Sequence, residues 1–321
     1  MGGLHNVQLP AGPQAAMLFD LWLAMLVVCA IVFVCVIGAL AWGVWRAPRA
    51  TEKTVPDMAS HARRELRGRR YVGYGVAAST VLLFALLVAS FLTDRAIARL
   101  PLVGAVHIEL TAHQFWWEVR YDPHDPALTF ATANEMHVPV GRPVLLTLRA
   151  DDVIHSFWVP SLDGKKDLIP GHESTFAFRA DKVGIYRGQC AEFCGYQHAH
   201  MTLYVIADEP AHYDRWIRSQ RQPAAAPTTN EQRRGRELVL GSTCGMCHAI
   251  GGTEAQGNRA PDLTHVASRL TLGAGVMEND DASRIGWIAD AQKIKPGVNM
   301  PPQAFKHDDL VAMSAYLGAL Q

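Results

Sequence analysis

The most regular feature of the chain is a pair of long apolar stretches near its beginning. No charged residue occurs over 21–45 or over 71–93. Each stretch exceeds the ~20 residues that a helix needs to cross about 30 Å of hydrocarbon. A buried core helix would be shorter, and the first stretch lacks the short apolar region and small-residue cleavage site of a signal peptide. We therefore predict a transmembrane hairpin at 16–95, with helices at about 17–45 and 71–93.

The segments that flank the first predicted helix indicate its orientation. The 46–70 loop carries eight Lys or Arg residues against three acidic ones, whereas the residues before Asp20 include no Lys or Arg. Basic loops are retained on the cytoplasmic side of a membrane. We predict that 46–70 is cytoplasmic, and that the N-terminal segment 1–15 and everything beyond Thr93 are extracytoplasmic.

Short runs of alternating apolar and polar residues follow the hairpin, broken by Pro, Gly and Asp. Regularly spaced short strands of this kind are typical of a β-sandwich. The runs lie at 106–110, 115–121, 144–149, 174–179, 184–189 and 201–206. A short amphipathic helix is predicted over 208–220, so that the whole domain occupies 96–220.

The composition changes again at 221–229, where small residues and prolines predict a semi-stiff linker. Apolar residues at helical spacing return over 230–240 and 308–320, which predicts an all-α domain at 230–321. The formal net charge of zero argues against a nucleic-acid partner.

The segment 190–201 concentrates side chains that bind metals: two cysteines, two histidines and a methionine. Soft sulfur together with neutral imidazole suits copper, whereas a structural zinc site normally shows paired knuckles such as Cys-x-x-Cys. A further imidazole is available from His155, in the strand-like run 151–160. The alternative is a loop of buried cysteines and satisfied histidines, which is uncommon where thiols and imidazoles converge. The sequence therefore predicts a copper site.

The second motif is Cys244-Gly-Met-Cys247-His248, the attachment motif for a c-type haem. Each thiol adds to a vinyl group, and His248 reaches the iron. A thioredoxin-like redox pair would need a βαβ context, but the flanks are helical and Gly-rich. A distal Met ligand is best supplied by Met300 in Asn-Met-Pro-Pro, because Met313 falls at helical spacing and Met277 lacks the Met-Pro context.

Two segments together carry a specific resemblance. Asp152-Val-Ile-His155-Ser-Phe and Cys190-x-x-x-Cys194-x-x-x-His198-x-x-Met201 resemble the dicopper CuA centre of cytochrome c oxidase subunit II. The resemblance implies a Greek-key cupredoxin fold for the sandwich, with the copper loop between its last two strands. The 299–302 and 260–264 segments resemble bacterial class I cytochromes c.

The resemblance also implies a role for each residue around the copper. Both thiolates bridge two coppers, and each copper gains one imidazole and one weaker ligand. The implied ligands are Cys190 and Cys194 as bridges, His155 and His198 as terminal ligands, and Met201 and the Glu192 carbonyl as weak ligands. The Glu192 side chain is expected to face a magnesium ion shared with the catalytic subunit, and His200 has no ligand role.

Through both apolar helices, the copper domain and the fused cytochrome, the chain resembles the caa-type haem-copper oxidases. The implied role is to accept electrons at haem c, from cytochrome c or a quinol-oxidising complex, and to pass them through CuA. In subunit I, oxygen would become water and protons would be pumped. Subunits I and III are the implied partners, and the bacterial cytoplasmic membrane, with both redox domains on its periplasmic side, is the implied location. This chain would contribute no catalytic residue to the oxygen chemistry.

Two alternatives belong to other functional classes. One is the equivalent subunit of a CuA-containing nitric oxide reductase, and the other is a free-standing membrane electron carrier. A quinol oxidase subunit II is disfavoured because that relative has lost the copper ligands that are kept here.

The chain departs from the family at His113-Gln114-Phe115-Trp116-Trp117. The family often has Trp where Phe115 stands, as the surface point that receives electrons from soluble cytochrome c. Phe115 is either a packing residue, or a sign that a tethered donor relaxes the demand for Trp while Trp116 or Trp117 takes over. A further candidate, Glu65, lies before the second helix and suits either proton uptake into subunit I or pairing with neighbouring arginines.

Overall fold

The computed structural model describes residues 5–47, 51, 55 and 61–321. It divides into two compact units, one formed by Met17–Arg99 and the other by Met1–Ala16 together with Leu100–Gln321. Much of the basic 46–70 loop, including Arg49 and Lys53, lies outside the described residues.

Two long helices dominate the first part of the chain: α1 over Pro13–Arg46 and α2 over His61–Ile97. Both are long and apolar enough to cross a membrane. Both helices extend beyond the predicted bounds 17–45 and 71–93. A hydrophobicity pattern reports only the part of a helix that suits hydrocarbon. In α2, the Arg, Glu and Leu residues before Tyr71 favour helix and lengthen it.

A β-sandwich of two five-stranded sheets fills residues 106–208, all of which are described. The first sheet has the order β3-β2-β1-β5-β8, and the second has the order β4-β10-β9-β6-β7. The strands are β1 Val106–His113, β2 Trp116–Tyr121, β3 Phe130–Ala133, β4 Glu135–Pro139, β5 Pro143–Ala150, β6 His155–Trp158, β7 Lys165–Leu168, β8 Ser174–Arg179, β9 Gly184–Cys190 and β10 Thr202–Asp208. β1 pairs in parallel with β5, and β10 with β4, while the other pairs are antiparallel.

Three of these strands, β3, β4 and β7, were not predicted, because they lack the alternation of a half-buried strand. β6 lies within the predicted strand-like run 151–160, although it buries His155, Ser156 and Phe157 in succession. β7 exposes three of its four residues. β3 and β4 are short and likewise lack regular alternation. Between the sheets, apolar side chains such as Trp117, Leu146 and Tyr186 form one core that also includes Cys190 and Cys194.

The C-terminal part of the second unit is mainly helical. α3 spans Pro210–Gln220, α4 Asn230–Gly241, α5 Cys244–Cys247, α6 Asp281–Ile294 and α7 His307–Leu317. α4 and α7 approach closely at Gly235, where a Cβ would lie 1.9 Å from the Ala312 carbonyl oxygen. A ladder of two short strands, β11 Thr271–Leu272 and β12 Met277–Glu278, adds to the predicted all-α domain. The predicted fold class, a helical hairpin with a β-sandwich and a helical domain, is confirmed.

The predicted linker makes contacts along the helical domain. The Ala224 amide donates a hydrogen bond to the Gly251 carbonyl at 2.9 Å, and the His265 ring nitrogen Nε2 lies 3.0 Å from the Gln222 carbonyl oxygen. The linker therefore follows the domain surface at its first residues, which a composition of Pro, Ala and Thr does not reveal.

Candidate metal and haem sites

The copper loop, residues 190–201, is anchored at both ends by the sheet. β9 ends at Cys190 and β10 begins at Thr202, and the two strands pair antiparallel, so the loop must return on itself. The Cys190 amide also donates to the Met201 carbonyl at 3.1 Å. His155 opens β6, which pairs with β9 through Phe157 and Cys190. This pairing brings an imidazole 35 positions earlier in the chain beside the loop.

The thiols and imidazoles predicted to bind copper lie in one connected cluster. The Cys190 and Cys194 sulfurs are 3.8 Å apart. The His155 Nδ1 atom lies 3.8 Å from the Cys190 sulfur, and the His198 Nδ1 atom lies 3.7 Å from the Cys194 sulfur. The donor atoms of His155, Cys190 and Cys194 all lie within 4.8 Å of one another.

The two weaker predicted donors complete the cluster. The Met201 sulfur is 3.9 Å from the Cys194 sulfur, and the Glu192 carbonyl oxygen is 3.2 Å from the Cys190 sulfur. Met201 is 1% exposed, so its thioether is held among buried groups rather than in solvent.

The electrostatics of the thiol pair favour a bound cation. A hydrogen bond with the Cys194 thiol, and another with His155, lower the pKa of the Cys190 thiol. The pKa of the Cys194 thiol is raised, because its thiolate would lie beside that of Cys190 in a buried site. Two thiolates at this distance need positive charge nearby. A soft cation supplies it, so the donor set fits copper.

Asp152 is a positioning residue whose role the sequence pattern did not reveal. Its Oδ1 atom lies 2.8 Å from His155 Nε2, which leaves Nδ1 turned toward the sulfurs. Burial raises the pKa of Asp152, but hydrogen bonds from His155, Val153 and Gln114 outweigh burial and lower it overall. The carboxylate therefore stays ionised and fixes the ring. The three-residue spacing to His155 was the signal available in the sequence.

Replacing Asp152 with alanine is expected to weaken copper binding by about 10- to 100-fold, the usual loss when the partner of a ligating histidine is removed. Copper retention against a competing chelator measures the effect. Asp151→Ala is the matched control, because Asp151 is 73% exposed and its carboxylate lies near His113 instead. Equal copper retention in the two variants would show that Asp152 does not support the ligand.

Three other predicted residues lie apart from this cluster or point away from it. The His200 side chain is exposed, with Nδ1 2.8 Å from Gln197 Oε1. The Glu192 carboxylate lies 3.6 Å from the Lys165 ammonium and is 45% exposed. Glu65 is in the other unit, where its carboxylate pairs with Arg69 at 3.1 Å.

A second site is a cavity of about 990 Å³ around the Cys-x-x-Cys-His motif. Ligand cavities usually span about 300–1,000 Å³, so this one is large enough for a bulky cofactor. Cys244, Cys247, His248 and Met300 all line it, together with apolar residues that include Val239, Leu263, Ile288 and Leu317. Two thiols, an imidazole and a thioether around one apolar cavity fit a covalently bound haem.

The ring of His248 is held in one orientation. Its Nδ1 atom lies 2.6 Å from the Pro261 carbonyl oxygen, an acceptor, so Nδ1 carries the proton and Nε2 is free to bind iron. Burial lowers the pKa of His248, which favours the neutral ring that a metal requires. Met313 also lines the cavity, from α7, whereas Met277 lies in β12.

Residues 113–117 lie between the two sites. His113, Gln114, Phe115 and Trp116 line the haem-sized cavity from the copper domain. On the other side, Gln114 Nε2 donates to the Cys194 carbonyl at 2.6 Å, and the Trp117 indole donates to the Met201 carbonyl at 3.3 Å. Phe115 is 5% exposed, so it is a buried residue rather than a surface one. One short segment thus contacts both sites.

Two families match this chain. Residues 123–208 match the periplasmic domain of cytochrome c oxidase subunit II, and residues 232–321 match cytochrome c. Cytochrome c oxidase subunit 2 of Alkalihalophilus pseudofirmus is 38% identical over 224 residues, which cover 69% of this chain and 64% of the relative. Its counterpart in Bacillus subtilis is 30% identical over 61% of this chain and 56% of the relative. The chain thus spans somewhat less than two thirds of these relatives.

Among solved structures, the periplasmic domain of subunit II of cytochrome oxidase from Bradyrhizobium japonicum is 29% identical, covering 36% of this chain and 92% of that one with a TM-score of 0.34. The copper cluster lies inside the first matched segment and the haem motif inside the second. The chain belongs to the cytochrome c oxidase subunit II family, in the form that carries a C-terminal cytochrome c domain.

Proposed function

We propose that this chain is the electron-accepting subunit of a respiratory cytochrome c oxidase, an oxidoreductase in which subunit I reduces oxygen to water and pumps protons. Electrons would arrive at haem c and leave through CuA. The observation that carries the proposal is that residues 113–117 contact both the haem-sized cavity and the copper loop. Electron transfer between two redox centres requires that the centres lie close together.

The proposed ligands are those named from the resemblance. Cys190 and Cys194 would bridge two coppers, with His155 and His198 as terminal ligands and Met201 and the Glu192 carbonyl as weak ones. When bound, the copper pair would share one electron over two ions, so that each bond changes little. The chain's own residues prepare the site: Asp152 orients His155, and the sandwich core buries the sulfurs.

For the haem, Cys244 and Cys247 would hold the porphyrin, with His248 and Met300 as axial ligands. Met/His ligation supplies a raised potential that suits acceptance from cytochrome c or a quinol-oxidising complex. The Pro261 carbonyl orients His248, and Gln292 donates to the Met300 carbonyl at 2.9 Å, which supports the ligand loop.

The domain division at 1–15, 16–95, 96–220, 221–229 and 230–321 forms part of this proposal, with both redox domains on the periplasmic side. Subunit I, and with it subunit III, would be the partners. Phe193 and Tyr196 on the copper loop are 76% and 83% exposed, which supports a partner covering this face. The half-exposed Glu192 carboxylate suits a magnesium ion at that contact, and Glu65 stays a candidate for proton uptake.

The purified complex provides the test. Oxygen consumption with reduced cytochrome c, together with spectra of mixed-valence copper, haem c and haem a, is the expected result. Consumption of nitric oxide without oxygen consumption would assign the chain to a nitric oxide reductase. Recovery of the chain alone, without haem a or haem b, would make it a free-standing electron carrier.

Trp117 is expected to matter more to haem-to-copper transfer than the ring of Phe115. Trp117 is fully buried, its indole binds the Met201 carbonyl, and its ring centre lies 6.2 Å from that of His155. We expect Trp117→Phe to slow the transfer by about tenfold, the factor that 1.4 kcal/mol represents. Phe115→Leu, which keeps the backbone and most of the volume, serves as the comparison in flash-reduction kinetics. If Phe115→Leu slowed the transfer more than Trp117→Phe did, the electron route would run through the Phe115 ring.

A further inference from the structure

The helical domain at 230–321, which we call the haem-c domain, packs against the β-sandwich domain at 96–220, which we call the copper domain. Two loops of the haem-c domain make this contact. In the first loop, the Ala274 carbonyl accepts the Thr202 amide at 3.0 Å. In the second, the Pro296 carbonyl accepts the Gln197 side-chain amide at 2.8 Å. Both acceptors thus bind the copper loop or the residue that directly follows it. The contact between the domains therefore lies beside the copper ligands.

Lys295 is buried in the middle of this contact, with 2% of its surface exposed. Its ammonium donates to the Phe115 carbonyl at 2.8 Å and to the Gly273 carbonyl at 2.7 Å. Burial lowers the pKa of Lys295 to about 7. A lysine is almost never fully buried without a specific partner, and here the partners are two backbone carbonyls on opposite domains.

Glu135 is a second buried charge at the same contact, with 4% of its surface exposed. It belongs to β4 of the copper domain, and its carboxylate accepts the backbone amides of Leu270 and Thr271 from the haem-c domain. Burial raises the pKa of Glu135 to about 7. The positive charge of the buried Arg269 opposes this rise, because it attracts the Glu135 carboxylate. Each domain therefore sends one ionisable side chain into the backbone of the other.

The first anchor also joins the two sites by a short path. Lys295 lies five positions before Met300 and binds the Phe115 carbonyl, while the adjacent Gln114 binds the Cys194 carbonyl at 2.6 Å. These two hydrogen bonds, joined by the dipeptide Gln114-Phe115, connect the segment before Met300 to Cys194. Met300 is the proposed iron ligand and Cys194 a proposed copper ligand.

We infer that Lys295 and Glu135 are positioning residues that hold the haem-c domain on the copper domain in a single pose, so that haem-to-copper transfer requires no domain movement. The inference rests on the proposed function. The contacts of Gln222 and Ala224 with the haem-c domain agree with it, since they shorten the free part of the linker.

The experiment uses the full complex, with haem c reduced by a light flash and its reoxidation by copper followed in buffers of increasing viscosity. For the natural chain, we expect a rate that is independent of viscosity. Lys295→Met should slow the transfer by at least about tenfold, equivalent to about 1.4 kcal/mol of docking free energy. The remaining transfer should then depend on viscosity, because the domain must search for its pose. Reduction of haem c by an external donor should stay unchanged.

Lys293→Met and Glu278→Gln are matched controls at exposed positions of the same domain, and Glu135→Gln tests the second anchor if Lys295→Met does not assemble. The inference is overturned if transfer in the natural chain slows in proportion to viscosity, or if both anchor variants transfer at the natural rate. Absence of any haem-to-copper transfer in the natural chain would instead refute the proposed function.

Discussion

Replacing Cys190 or Cys194 with serine is expected to remove the copper centre and to abolish oxygen reduction, while haem c stays attached and reducible. A serine hydroxyl is a hard, neutral donor that binds copper poorly, and both sulfurs take part in one cluster. The haem-c domain has its own apolar core, so it should fold and bind haem normally. We expect copper content to fall to background and turnover to fall by more than about 100-fold, which is the upper loss seen when a residue that merely supports a ligand is removed.

Two histidines of the same loop provide a sharp control. His198 lies 3.7 Å from the Cys194 sulfur, whereas His200 is exposed and contacts Gln197. His198→Ala should therefore lose copper, and His200→Ala should keep copper and activity. If His200→Ala lost copper as completely as Cys190→Ser, the proposed ligand set would be wrong.

Met300→Leu is the second change with a large expected effect. Haem c should remain attached through Cys244 and Cys247, but the iron would lose its proposed thioether ligand, and the haem potential should fall. Axial ligands shift haem potentials over a range of about 0.8 V. A fall on the order of 0.1 V would shift the haem-to-copper equilibrium by about 50-fold, because about 59 mV corresponds to a factor of ten for one electron. Redox titration and the spin state of the haem measure the change.

The other two methionines test the choice of ligand. Met313 lines the same cavity from α7, and Met277 lies in β12. Leucine at either position should leave the potential close to its natural value. A loss of the low-spin spectrum in Met313→Leu but not in Met300→Leu would move the ligand to α7.

Local sequence was sufficient to predict those sites whose residues lie close together along the chain. The haem motif occupies five consecutive residues, and the copper loop twelve, so their side chains meet in the structure with little help from distant residues. The position of His155 beside the copper loop depends on tertiary structure, because the pairing of β6 with β9 brings it there. The longer strands were predicted from alternation, and the predicted strand-like run 151–160 includes β6. β7 was missed because it is largely exposed and shows no alternation.

Lys295 and Glu135 show what sequence patterns did not reveal. Lys295 meets Phe115 across 180 positions and Glu135 meets Leu270 across 135. Each charged residue is ordinary in its local context, and only packing between two domains buries it. The partial attachment of the linker has the same cause, since it depends on where Gly251 and His265 present their polar atoms.

If this chain is the electron-accepting subunit, electrons should pass from haem c to copper within it. Flash reduction of haem c in the purified complex, with copper absorption followed at the same time, measures this transfer. We predict that haem c is reoxidised as copper is reduced, at a rate independent of protein concentration and of added soluble cytochrome c. Haem c that stays reduced, or that is reoxidised only in proportion to an added soluble carrier, would show that electrons do not pass from haem c to copper within the chain.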